Sequence, residues 1–147
     1  QVHVSERTPR AIVRVNSSDF WIDDEGIIIA LVSKNDSRPA FVLRGWDEAK
    51  TDKALKDNQE RIKVFTKIRD ELQTLGLDKQ LTSLDLSDMQ DVAANVLDSN
   101  ATVAVYLGKE DFGKRLQRAL PMLTGKGQTI ESMISHGGNV VAKYKNS

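Results

Sequence analysis

The sequence contains no cysteine, so neither a disulfide framework nor a thiolate metal site is available to it. That leaves the compartment open, since a secreted chain can do without disulfides. Histidine is nearly absent as well: His3 and His136 stand at opposite ends of the 147 residues, with no third His or Cys to complete a ligand set. No metal or cofactor is expected. There is no excess of charge of either sign, because Lys plus Arg and Asp plus Glu are both 21, and such a chain has no global electrostatic footprint for nucleic acid. No apolar run approaches the ~20 residues that a membrane span needs. Gln1 opens directly into a strand-like pattern without signal-peptide organisation. The expectation is therefore a soluble protein or a piece of a longer one. At this length one domain, or one plus a fragment, buries roughly two-thirds of its unfolded surface.

What is present is clearest between Ala101 and Leu123, ATVAVYLGKEDFGKRLQRALPML. Thr102, Val103, Val105 and Tyr106 are β-branched or aromatic and read as a strand that stops at Gly108. Glu110 and Asp111 then supply negative charge at a helix N-terminus, and Phe112, Leu116, Ala119, Leu120 and Leu123 recur at helical steps. Lys114, Arg115, Gln117 and Arg118 project elsewhere, so the unit packs one side on a sheet. Pro121 is expected to end or kink the helix.

Taken in order, Gln1–Val15 reads as two short strands about Pro9, and Phe20–Ile22 with Ile27–Ile29 as a hairpin about Asp23, Asp24, Glu25 and Gly26. Ser33–Ala40 is a polar loop before a short strand of Phe41, Val42 and Leu43. The longest helix is predicted over Asp47–Leu75, with a stripe of Leu55, Ile62, Phe65, Ile68 or Arg69, Leu72 and Leu75 and Gly76 as its C-terminal stop. Leu81, Leu84 and Leu86 resume a strand. Val92–Leu97 and Ala101–Leu107 form a hairpin about Asp98, Ser99 and Asn100, and Ile130–Ser135 pairs with Asn139–Tyr144 around His136, Gly137 and Gly138. This order argues an α+β fold: a mainly antiparallel, twisted β-sheet with one long and one shorter helix packed on it.

Chemistry-bearing motifs are sparse. Asp23, Asp24 and Glu25 are consecutive in a tight turn and read as solvated turn residues. Thr124–Thr129, TGKGQT, lacks the spacing of a phosphate loop and follows a helix where that motif follows a strand, so it reads as a flexible loop. No serine sits in a nucleophile elbow. Asn16, Asn35 and Asn100 begin short sequons that matter only in a glycosylating compartment. A small hydrolase using Asp23, Asp24 or Glu110 is the remotest reading, because no two carboxylates are placed to face a common cleft.

The C-terminal strand carries the most physical weight. A last strand is often at or near a sheet edge, where unpaired backbone groups can take up another chain. Here Val140 and Ala142 face one side and Val141 and Lys143 the other, with Tyr144 at the end. Lys143 and Lys145 read equally well as guards against such pairing. If the edge is used, a proline at Val141 is expected to remove a ladder donor and weaken binding.

Several segments, in order along the chain, resemble the FtsQ/DivIB family of bacterial cell-division proteins. SERTPRAIVRV at Ser5–Val15 is similar to the family's segment leaving its POTRA domain, FWIDDEGIII at Phe20–Ile29 to its D-x-x-G hairpin, and PAFVLRGW at Pro39–Trp46 to its proline-led strand ending in L-x-G. Leu84–Leu123 resembles the family's strand, hairpin, V-x-L-G and helix. One departure is MISHGGNVVAKY at Met133–Tyr144, where the family commonly has I-D-L-R-Y and then a glycine turn. The resemblance implies residues 1–15 as the end of a truncated POTRA domain and connector, and 16–147 as the β domain. It implies a non-catalytic divisome scaffold active in septation, anchored in the cytoplasmic (inner) membrane by one transmembrane helix and exposed on the periplasmic side. Partners would be FtsB and FtsL, with no nucleic acid and no small-molecule substrate. Binding by strand addition would fall on Asn139, Val140, Val141, Ala142, Lys143 and Tyr144, with Ser132, Ser135 and His136 as an adjacent interface. The alternative is a POTRA-associated chaperone-like module that takes extended polypeptides at the cell envelope.

Overall fold

The computed structural model describes residues 8–136 and 139–145. The strand expected at Gln1–Ser5, with His3, and the turn glycines 137 and 138 lie outside the described residues. Among the described residues nine strands form one sheet: β1 (Ala11–Val15), β2 (Ser18–Ile22), β3 (Ile28–Leu31), β4 (Val42–Arg44), β5 (Leu81–Asp85), β6 (Ala93–Asp98), β7 (Ala101–Tyr106), β8 (Ile130–His136) and β9 (Asn139–Tyr144). Their order across the sheet is β3-β2-β1-β4-β5-β6-β7-β8-β9. Hairpins pair antiparallel, whereas β1 with β4, β4 with β5, and β7 with β8 are parallel, which makes the sheet mixed but mostly antiparallel. Ala11–Val15 thus lies inside this sheet, between β2 and β4.

Two helices carry the long crossovers, α1 (Asp52–Leu75, 24 residues) between β4 and β5 and α2 (Phe112–Leu123, 12 residues) between β7 and β8. They share one layer: a Cβ on Gly113 would stand 2.9 Å from Leu75 Cδ1, so the start of α2 lies directly on the end of α1. Beneath them a single cross-strand row runs Val13, Leu43, Leu84, Ala94, Val105, Met133 and Ala142, each opposite the next. Its first six members are buried, and Ala142 is partly buried against them. Burying a large apolar side chain of this kind contributes about 1.5–3 kcal/mol. In β9 the same alternation puts Val140 with Ala142 on this side.

Boundaries differ from expectation where a side chain competes for the backbone. α1 begins at N-cap Thr51, whose Oγ1 accepts from Ala54 N at 3.1 Å, and not at Asp47. Asp47 is held outside the helix because Asn58 accepts from its N–H at 3.2 Å and donates to its carbonyl at 2.9 Å. The buried stripe includes Ala54, Asn58 and Arg61, while Leu55 and Leu75 are exposed. Pro121 does not end α2, which continues to Leu123. Proline frees the carbonyl four residues earlier, here that of exposed Gln117. No helix among the described residues is long and apolar enough to cross a membrane.

The β1–β2 hairpin turns at Asn16 and Ser17, both at positive φ. It is closed by Arg14, which donates Nε to Asp19 Oδ1 at 2.7 Å and Nη2 to Oδ2 at 3.0 Å. Arg38 also pairs with Asp19. The Arg14 hydrogen bonds are the larger cause, and together the two guanidinium groups hold the Asp19 carboxyl at about 2. The folded value lies below the ordinary one of about 3.9, so this contribution to stability is complete above the ordinary value and is lost as pH falls through the folded one. The melting-temperature gap between the native chain and Asp19→Asn should be constant above about pH 5 and close progressively towards pH 2. A gap that stays level over that range would show that the carboxylate charge is not what matters.

Candidate functional site

β9 ends the sheet, with β8 on one side and no further strand beyond it among the described residues. Its register pairs His136 with Asn139, Ser135 with Val140, Ile134 with Val141, Met133 with Ala142 and Ser132 with Lys143. Lys145 N donates to Thr129 O at 2.8 Å across the same pair. Because main-chain groups of an antiparallel strand alternate in direction, Lys145, Lys143, Val141 and Asn139 turn theirs towards β8, and Val140, Ala142 and Tyr144 turn theirs outward. This changes the choice of residue for a proline: at Val141 it would break the β8–β9 ladder itself. The outward amides are those of Val140, Ala142 and Tyr144.

The side chains divide the strand the other way. Val140 and Ala142 pack partly against the core on the helix side. On the open face, Tyr106, Ile134 and Val141 form a cross-strand row over β7, β8 and β9, with Ile134 45% and Val141 57% exposed. Apolar side chains at this level, unlike the row of Ser83, Asn95, Ala104, Ser132 and Lys143 beside it, which is polar except at Ala104, leave greasy surface running out to the free edge. Tyr144 is exposed at the end of the strand. Lys143 leans back to Glu131 at 3.6 Å, a pair in which both side chains are more than half exposed, and such pairs contribute little. Ser132 lies on the open face beside Lys143, Ser135 is buried on the helix side opposite Val140, and His136 pairs by its main chain with Asn139.

The carboxylates read for hydrolysis do not assemble. Asp23 is buried, not solvated: its Oδ1 accepts from the N–H of Glu25 at 2.9 Å and of Ile27 at 3.0 Å, which fixes the β2–β3 turn. Asp24 is exposed in that turn, and Glu110 follows β7, with four strands between β2 and β7. The TGKGQT segment is not a loose loop. The Asp98 carboxylate accepts from Gly125 N at 3.0 Å and Gly127 N at 2.7 Å, and those backbone bonds hold its pKa below the usual range. Sequence spacing could not show this, because the anchor lies 27 residues upstream.

Comparison with known proteins bears on the same region. The profile described as "Cell division protein FtsQ/DivIB, C-terminal" matches residues 11–141. A cell division protein FtsQ from Koribacter versatilis (strain Ellin345) is 30% identical over 118 residues, covering 78% of this chain and 33% of that protein. The chain thus spans about a third of that relative's length. With the matched profile running from β1 into β9, the chain belongs to the FtsQ/DivIB family of cell-division proteins.

Proposed function

We propose that this chain is the extracytoplasmic β domain of a divisome scaffold that binds FtsB- and FtsL-type partners by strand addition at β9, with no reaction of its own. In the parent protein a POTRA domain and one transmembrane helix precede it and place it on the periplasmic side of the inner membrane. The observation that carries the reading is the free edge of β9, where Val140, Ala142 and Tyr144 turn main-chain donors and acceptors outward. Main-chain bonds would supply affinity, and contacts on alternate faces would supply specificity. The row of half-buried Tyr106 and exposed Ile134 and Val141 gives the incoming strand an apolar surface to extend.

The test is Ala142→Pro. It removes an outward amide and leaves the inward ladder at Val141 and Lys143 in place. Binding of an FtsB-type partner in a titration should weaken by about tenfold or more, with an unchanged circular dichroism spectrum. Unaltered affinity in a folded Ala142→Pro domain would remove strand addition at β9 as the mechanism.

A further inference from the structure

The sheet has a second free edge at its other end. Among the described residues, β3 (Ile28–Leu31) pairs with β2 alone. Val32 N donates to Asp19 O at 3.0 Å, so the next residue back, Leu31, turns its amide and carbonyl away from β2. Register puts Ile28 opposite Ile22 and Leu31 opposite Phe20, on the helix side. There they extend beyond the cover of α1, with Ile28 42% and Leu31 64% exposed. β3 carries no charged residue or proline, and a bulge at Ile29 brings Ile28 and Leu31, three positions apart, to the same side.

Between this edge and the first turns of α1 lies a cleft of about 430 Å³, lined in part by Ile28, Trp46 and Leu55. Its floor is built rigidly. Trp46 Nε1 donates to Gly26 O at 2.9 Å, tying the β2–β3 turn to the segment after β4, and Asn58 holds Asp47 from α1. The lining carries Asp47, Glu48 and Asp52 against Lys50. A second copy pairing β3 to β3 would bring together two rims that each carry three carboxylates against one Lys50, which disfavours it.

We infer that the β3 edge with this cleft is a second strand-addition site, for an extended segment of another protein that presents both apolar and basic side chains on the one face it turns to the helix layer. Of the side chains turned to this face, an apolar one would enter between Ile28 and Leu55, and a basic one two residues along would meet Asp47, Glu48 and Asp52. This site is independent of β9 and stands or falls apart from it.

The experiment uses a fluorescent strand-length peptide of repeating Val-Thr-Lys-Thr, which turns valine and lysine to the same face, with a Val-Thr-Glu-Thr counterpart, titrated against the whole chain by anisotropy. The lysine peptide should bind about tenfold or more tightly than the glutamate one. Leu31→Pro, which removes an outward amide, and the double change Asp47→Lys with Glu48→Lys should each weaken it by about tenfold, while Ala142→Pro leaves it unchanged. If Leu31→Pro fails to fold, the charge reversal alone decides. Equal binding of the two peptides, loss of binding in Ala142→Pro but not in the β3 variants, or self-association of the chain in place of peptide capture would each overturn the assignment.

Discussion

Gly45→Ala is expected to lower the unfolding free energy by about 4 kcal/mol, a large share of the roughly 5–15 kcal/mol that holds a domain together. Gly45 leaves β4 at φ +90, a conformation that costs an L side chain strain in itself. Sterics add more. A Cβ there would stand 2.7 Å from Ser87 Cα and nearer still to Ser87 N, with Asp85 Oδ1 at 2.9 Å. Those atoms cannot give way cheaply, because Ser87 N and Oγ both donate to Asp85 Oδ1 and Leu86 N donates to Arg44 O at 2.9 Å. Gly76 provides the control: it has φ +70, but nothing lies within 4 Å of its Cβ position. Gly76→Ala should therefore cost only the backbone strain, about 1 kcal/mol. Urea unfolding midpoints separate the two, and equal losses would mean that crowding at Ser87 is not the cause.

The contrast also shows which features the sequence exposes. Gly76 is legible because a helix stop is local: its N–H bonds Gln73 O at 3.1 Å and Leu77 N bonds Leu72 O at 2.8 Å, all within one turn of periodic sequence. The turn at Ser99 and Asn100, both at positive φ, is local in the same way, as is the alternation that puts Val140 and Ala142 on the core side of β9. Gly45 could be read as the end of a strand but not as a packing requirement, because Ser87 is 42 positions away in sequence. The free edge of β9 follows from being last in a mostly antiparallel order, whereas the direction of each amide along it depends on register with β8. The β3 edge was missed for a related reason: Ile27–Ile29 signals a hairpin, but nothing local says that the next strand along the chain joins the far side of β1.

Arg61 is the sharpest case of a residue whose composition misleads. On helical periodicity a charged residue between Lys, Asp and Glu belongs to the wet face, yet Arg61 is 9% exposed. Its Nε donates to Leu86 O at 3.0 Å and its Nη1 to Asn58 Oδ1 at 2.9 Å. A longer contact reaches Ser87 O at 3.5 Å. The guanidinium thereby ties α1 to the chain leaving β5, while Asn58 ties α1 to the chain leaving β4. Arg61→Met keeps most of the apolar stem but deletes every donor and leaves the carbonyl of fully buried Leu86 short of a partner. The expected loss is about 3 kcal/mol by urea unfolding, against less than about 0.5 kcal/mol for exposed Lys63→Met. Arg61→Lys should recover only part of it, since one compact ammonium cannot reproduce a planar fork with donors on two sides. Losses within about 0.5 kcal/mol for Arg61→Met would place the guanidinium in solvent and undo the account. Because Arg61 and Gly45 both bear on Ser87, their losses should also fail to add in the double variant, by about 0.5–3 kcal/mol. Simple additivity there would mean that the two strand exits are held separately.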